Sequence, residues 1–189
     1  MKTAQNLSNT HTTSFRIRQL TTVGLMTAVI CLLGPLALGG PVPVSLGMLG
    51  IYLAASILGM KLGTLSVAIY ILLGLAGVPV FVNFTAGAGK LFGPTGGYII
   101  GYIFMALICG FFVDRWSDKV MIIFLGMILG TFVCYLFGSA WLAFQMSLTL
   151  PQALATGAVP YIPFDLIKLV LALILGGQVR KRLKKTGLI

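Results

Sequence analysis

Acidic residues are almost missing from this 189-residue chain, which has three aspartates and no glutamate. Charged residues make up only 8% of the sequence, whereas a soluble globular domain carries about 25%. So few charges cannot cover the surface of a water-soluble protein of this size. The composition therefore argues against a cytosolic enzyme, a disordered regulator and a nucleic-acid-binding protein.

The residues that carry most catalytic and metal-binding chemistry are also scarce. The single histidine, His11, lies in a polar N-terminal stretch, and no HExxH, GxSxG or ATP-binding motif occurs. Each of the three cysteines lies in an apolar run without a CxxC pair, which predicts buried small hydrophobic residues. We therefore expect no enzyme, no metal site and no resident cofactor.

Apolar residues, by contrast, are abundant at 58% and occur in long runs. About 20 such residues are needed for a helix to cross the hydrocarbon core of a bilayer. Six candidate spans lie at about residues 20–38, 45–59, 62–77, 96–113, 120–145 and 161–177. The sequence therefore predicts an all-α integral membrane protein with six transmembrane helices.

The distribution of lysine and arginine predicts the orientation of these spans. With six spans, eleven of the thirteen cations fall on one side, which we assign to the cytoplasm. Both termini are then cytoplasmic, with a tail at 1–18, a membrane domain at 19–179 and a basic tail at 180–189. The cluster 180–185 is interpreted as a topology anchor, and residues 114–119 as a solvated inner loop.

A few polar side chains lie where the membrane makes them costly. Asp165 and Lys168 share one helix face near the outer end of the last span. They either form an ion pair that only neutralises both charges or make up a polar wall of a ligand pocket. Lys90, in an outer loop, is either a snorkelling lysine or a clamp for an anionic group such as a carboxylate. Asn83 either binds a neutral polar ligand or caps the loop backbone.

Aromatic residues and glycines surround these polar positions. Tyr161 stands close to Asp165 and is a candidate stacking wall. The connection 78–95 contains Gly87 and Phe92, and its many glycines permit close approach of the backbone to a ligand.

Small residues on the first predicted span form a separate feature. Gly24 and Ala28 are four residues apart and form a small-xxx-small pair on one helix face. Such a pair either docks a helix of another subunit or packs within the protein.

Two sequence strings resemble signatures of the BioY family. One is Gly-Pro-Thr-Gly-Gly-Tyr at residues 93–98, followed by Gly101, and the other is Pro-Tyr-Ile-Pro-Phe-Asp-Leu-Ile-Lys at residues 160–168. Residues 77–81 and 87–89 fit the same family, and the likeness covers about residues 20–180.

The resemblance implies the biotin-specific substrate-capture (S) component of an energy-coupling factor (ECF) vitamin transporter in a bacterial plasma membrane. Such components have six helices and pair with a transmembrane coupling subunit and two cytoplasmic ATPases, which explains the missing ATP-binding motif. The resemblance also implies that Gly24 and Ala28 form the face that docks the coupling subunit.

The candidate residues match the chemistry of biotin, which has a ureido ring, a thioether ring and a valerate carboxylate. Asp165 can accept the ureido N–H groups, and Asn83 can donate to the ureido oxygen. Lys90 can pair with the carboxylate, with Lys168 as the competing choice. The neighbouring aromatics and glycines supply an apolar box around the rings. These residues are Tyr161, Phe92 and Gly87.

Two routes of transport are open to such a protein. In the first, the ligand enters from outside beneath the loops 39–44 and 78–95 and is released inward by partner ATPases. In the second, the protein is a self-contained proton-coupled secondary transporter of a small organic acid, with Asp165 as the proton site.

Overall fold

Helices form almost all of the computed structural model, which describes residues 2–38 and 44–186, with side chains at 17–37 and 44–186. In chain order they are α1 (Lys2–Leu33), α2 (Gly47–Leu75), α3 (Ala88–Leu91), α4 (Gly96–Arg115), α5 (Val120–Met146), α6 (Leu150–Gly157) and α7 (Ile162–Lys185). Two 3-10 turns (Val82–Phe84, Val159–Tyr161) and two strands, β1 (Ala37–Leu38) and β2 (Val44–Ser45), complete the fold. Apolar runs form helices because a helix satisfies its own backbone N–H and C=O groups where water is excluded.

Four helical segments are long and apolar enough to cross a membrane. They are Gly47–Leu75, Gly96–Arg115, Val120–Met146 and Leu150–Lys185, and α1 contributes the shorter apolar helix Ile17–Leu33. Their outward faces carry large apolar side chains such as Leu32, Leu72 and Phe132, each more than half exposed. A surface of this kind suits lipid and not water.

The first of these segments, Gly47–Leu75, reverses direction at Gly59. This glycine has a φ of 78° and a ψ of −164°, outside the helical region. A Cβ on Gly63 would lie 2.9 Å from the carbonyl oxygen of Ala54, although residues nine apart in a straight helix are about 13 Å apart. Helix α2 therefore consists of two antiparallel arms, 47–58 and 60–75, and glycine at the turn permits the positive φ.

Side chains from two other helices close the turn at Gly59. Asp114, near the end of α4, accepts a hydrogen bond from the Met60 N–H at 2.9 Å. Arg180 of α7 donates to the Ile57 carbonyl at 3.0 Å and forms an ion pair with Asp114 at 2.6 Å. Together they satisfy one of the last carbonyls of the first arm and one of the first N–H groups of the second. Asp114 is exposed, as expected for a solvated residue, but it lies in α4 and not in a loop. Both Asp114 and Arg180 also have structural partners that were not predicted.

Helices α4 and α5 pack closely through small residues. A Cβ on Gly101 would lie 3.1 Å from the Cys134 sulfur, and one on Gly130 would lie 2.8 Å from the Cys109 sulfur. Both cysteines are fully buried and free, as predicted for small hydrophobic residues, whereas Cys31 is half-buried. Such glycine contacts bring the backbones of α4 and α5 close together.

The first predicted span is shorter at its outer end than expected. Helix α1 ends at Leu33 and not near Leu38, because Pro35 follows and cannot continue the helical hydrogen-bond pattern. Beyond it, β1 and β2 pair antiparallel, with residue 37 opposite residue 45. The predicted lid 39–44 lies outside the described residues except for its last residue.

A short helix, α6, forms within the connection that joins α5 to α7, between the fifth and sixth predicted spans. The side-chain oxygen of Gln152 accepts a hydrogen bond from the Thr149 N–H at 3.0 Å. Pro151 lies in the first turn, where its missing N–H costs nothing. The Thr-x-x-Gln spacing is a helix-start signal that the sequence carries.

Candidate ligand-binding site

A cavity of about 450 Å³ lies at the predicted outer end of the bundle. Small-molecule sites in proteins typically measure about 300–1,000 Å³. Five of the six tyrosines of the chain line it, from α2, α4, α5 and the turn before α7. They are Tyr70, Tyr98, Tyr102, Tyr135 and Tyr161. An aromatic cavity with a few polar groups is suited to a small organic ligand that carries both ring surfaces and hydrogen-bonding groups.

The structure brings five of the seven predicted ligand residues together in this cavity. They are Asn83, Lys90, Tyr161, Asp165 and Lys168. Phe92 does not line it and leaves 64% of its surface exposed at the end of α3. Gly87 does not line it either, and a Cβ there would meet open space. Within residues 2–38 and 44–186, no group of His, Cys, Asp and Glu side chains could hold a metal ion.

Asp165 and Lys168 form a buried ion pair that is also a wall of the cavity. The Lys168 ammonium lies 2.6 Å from Asp165 Oδ1, and the two residues are only 3% and 6% exposed. The sequence left two alternatives for these residues, a neutralising ion pair and a pocket wall. In the structure the same two residues form the ion pair and also line the cavity. Removing two charges from water is costly, so such a pair needs further hydrogen bonds to be stable.

Two further groups supply those hydrogen bonds. The Tyr135 hydroxyl on α5 donates to Asp165 Oδ2, and Lys168 donates to the carbonyl of Ser45 at 2.6 Å. A network therefore runs from α5 through α7 to β2. Sequence reasoning did not select Tyr135. The signal for it was a tyrosine inside an apolar span, whose hydroxyl needs a partner when buried.

Lys90 and Asn83 also line the cavity but lie outside this network. Among the described residues, neither side chain has a hydrogen bond or an ion pair, although both line the cavity. Asn83 occupies the left-handed region with a φ of 57°, a conformation that asparagine tolerates better than most residues. Its backbone N–H donates to the Pro35 carbonyl at 3.1 Å. The side-chain amide is left available to a ligand.

The connection that carries these residues is held in place by α2 and α5. The Phe81 ring meets Tyr70 edge-on at 5.6 Å between centroids. A Cβ on Gly74 would overlap the same ring, so this glycine makes room for it. On the other side, the Trp141 ring N–H donates to the Gly93 carbonyl at 3.0 Å.

Gly24 and Ala28 do not line the cavity and lie on the outward face of α1. Both are exposed, and a Cβ on Gly24 would meet nothing within 4 Å. The opposite face of α1 packs against the core through Val23 and Ile30. In the structure, Gly24 and Ala28 therefore do not pack against another helix of the same chain.

Comparison with known proteins identifies the family. A family model described as the BioY family matches residues 4–185. The chain belongs to the BioY family. The predicted resemblance is thus confirmed, and both strings that carried it contribute to the cavity. Thr95 and Tyr98 come from the first string, and Tyr161, Asp165 and Lys168 come from the second.

Individual members of the BioY family resemble this chain over most of their length. A relative from Thermotoga maritima named biotin transporter BioY is 39% identical over 166 residues, which are 87% of this chain and 97% of that one. A relative of the same name from Lactococcus lactis is 35% identical and covers 90% of this chain and 95% of its own length.

A solved structure shares the fold. The crystal structure of the S-component for biotin from an ECF-type ABC transporter matches with a TM-score of 0.80 at 32% identity, over 88% of this chain and 92% of that one. This member of the BioY family is therefore an all-helical, multi-pass membrane protein with an S-component fold.

Proposed function

We propose that this protein is the high-affinity biotin-capturing S component of an ECF-type vitamin uptake transporter, and not an enzyme. The observation that carries the proposal is the buried Asp165–Lys168 pair in the wall of a tyrosine-lined cavity. The printed names of the relatives, which are biotin transporters, point to the same ligand. Biotin is here the transported ligand, so the proposal needs no cofactor.

The ureido group of biotin fits the acceptor capacity that Asp165 has left. A carboxylate has about four acceptor positions, two on each oxygen. Lys168 uses one on Oδ1 and Tyr135 uses one on Oδ2. One position per oxygen therefore remains, so the carboxylate can accept an N–H of the ureido ring. Asn83 donates to the ureido oxygen with its free amide.

Lys90 is the better candidate for the valerate carboxylate. The Lys168 ammonium is already shared between Asp165 and the Ser45 carbonyl. Lys90 lines the same cavity and has no anionic partner among the described residues. An unpaired cation gains most from an incoming carboxylate, because no existing ion pair has to be broken.

The tyrosines and apolar side chains around these groups enclose the ring system. Tyr161 borders the cavity next to Asp165 and supplies part of the wall. Phe92 and Gly87 lie outside the lining and have no contact role in this proposal. A cavity whose polar groups match the ligand one to one discriminates strongly, because an analogue that lacks a group leaves a buried partner unpaired.

The proposed topology has six membrane spans and both termini in the cytoplasm. The spans are residues 17–33, the arms 47–58 and 60–75 of α2, and the helices α4, α5 and α7. The reversal at Gly59 supports counting α2 twice. Lysine and arginine gather at the end that carries this turn, which supports the orientation. The predicted domain limits at 18/19 and 179/180 remain part of this proposal.

The proposed partners are a transmembrane coupling subunit and two cytoplasmic ATPases in a bacterial plasma membrane. The exposed pair Gly24 and Ala28 offers a flat face on α1 where another helix can approach closely. The chain itself has no ATP-binding motif, so ATP hydrolysis has to come from such partners.

Calorimetric titration of the purified protein tests the ligand. Biotin should bind tightly, its methyl ester more weakly, and an analogue without the ureido group not measurably. Failure of biotin to bind would refute the proposal. Uptake into proteoliposomes tests energy coupling: accumulation should need the coupling module and ATP. Accumulation driven by a proton gradient alone would favour a proton-coupled secondary transporter instead.

A further inference from the structure

A second, smaller cleft lies behind the ligand cavity. It measures about 150 Å³ and opens between α5 and α7. Large apolar side chains at its mouth face outward, with Phe132 56% and Leu166 42% exposed. In a membrane protein this mouth faces lipid.

Tyr135 and Asp165 are the two residues that line both spaces. The hydrogen bond between them therefore lies in the partition between the polar cavity and the lipid-facing cleft. Without that bond, the Asp165 carboxylate would be held only by Lys168, one turn along the same helix. A carboxylate with a single partner is free to rotate, and rotation would turn its oxygens toward the cleft.

We infer that Tyr135 is a positioning residue for ligand recognition. Its hydroxyl fixes the plane of the Asp165 carboxylate, so that the two acceptor positions left open face the cavity, and its ring separates them from lipid. This inference rests on the proposed function, because it assigns Asp165 as the acceptor for a ureido N–H group. A group held in its binding geometry beforehand does not lose that freedom when the ligand arrives.

A neighbouring tyrosine provides a matched control. Tyr52 lines the cleft but not the cavity, and its hydroxyl lies 2.5 Å from the hydroxyl of Thr131. Thr131 donates its own hydrogen to the Met127 carbonyl, so Tyr52 is the donor in that pair. Tyr52→Phe therefore removes a buried hydroxyl that donates to an uncharged acceptor, at the same cleft and without touching Asp165.

The test compares biotin affinity in Tyr135→Phe and Tyr52→Phe by titration calorimetry. The affinity of Tyr135→Phe for biotin should be roughly 10- to 100-fold lower than that of the wild type. This loss corresponds to one hydrogen bond to a charged group. Tyr52→Phe should stay within about twofold of the wild type, because no ligand group depends on it. Equal affinities of the two variants would overturn the inference. If the wild type itself fails to bind biotin, the proposed function fails instead.

Infrared spectroscopy measures the carboxylate band of Asp165 directly. This band would not change if Tyr135 only stabilised the fold. The chain has only three aspartates and no glutamate, so its carboxylate bands are few. The Asp165 band is identified by its loss in Asp165→Asn. This band should shift in Tyr135→Phe and not in Tyr52→Phe, since only the first loses a hydrogen bond to the carboxylate. An unchanged band in Tyr135→Phe would show that the hydroxyl does not hold Asp165.

Discussion

Removal of the Asp165 carboxylate should lower both the affinity for biotin and the stability of the fold. In Asp165→Ala the ureido group loses a hydrogen bond to a charged acceptor, which contributes about 1.5–3 kcal/mol. The dissociation constant for biotin should therefore rise by about 10- to 100-fold. At the same time Lys168, only 6% exposed, would keep a buried charge without its anion. Breaking a buried pair in this way costs about 3–5 kcal/mol of folding free energy.

A second variant distinguishes these two losses. Lys168→Met, added to Asp165→Ala, removes the unpaired cation and keeps an unbranched side chain of similar length. Thermal unfolding in detergent should show that the double variant regains most of the lost stability. Calorimetric titration should show that biotin affinity stays low. If affinity returned together with stability, Asp165 would act only through the fold, and its role as a ligand contact would be refuted.

Three further changes test other parts of the proposal. In titrations, Lys90→Ala should weaken the binding of biotin about tenfold but the binding of its neutral amide very little. Lys61→Ala, at the opposite end of the bundle, is the control. Equal losses of affinity for both ligands would place the carboxylate clamp elsewhere. Gly74→Ala should cost about 1–3 kcal/mol in thermal unfolding, because its methyl group would overlap the Phe81 ring; an unchanged melting curve would contradict this packing. Gly24→Leu should preserve biotin binding but abolish ATP-driven uptake in the reconstituted transporter, and uptake at the wild-type rate would exclude this face of α1 from docking.

Part of the site could be predicted because the membrane makes certain residues conspicuous. Asp165 and Lys168 stand out in an apolar span, and Lys90 is the one cation among the predicted outer loops. All three line the cavity. Phe92 and Gly87 were selected only because their loop is rich in aromatics and glycine, and composition does not say which side of a loop faces a ligand.

Partners distant in sequence could not be predicted in the same way. Tyr135 is one of six tyrosines, five of which line the cavity, and nothing in the sequence marks it as the donor to Asp165. Asp114 was interpreted as part of a solvated inner loop, and it is indeed exposed, but its hydrogen bond to α2 was not predicted. Its main-chain partner, Met60, is 54 residues away, and that distance closes only when α2 folds back beside α4.

The sequence by itself determined the class of protein, its helical character and the family, because lipid solvation acts on local composition and because the signature strings are contiguous. Only the tertiary structure decided how the charges are satisfied. Lys168 meets the carbonyl of Ser45, 123 residues away, and this bond helps to stabilise a buried cation. Such bonds depend on the close packing of several helices, and therefore on the whole chain at once.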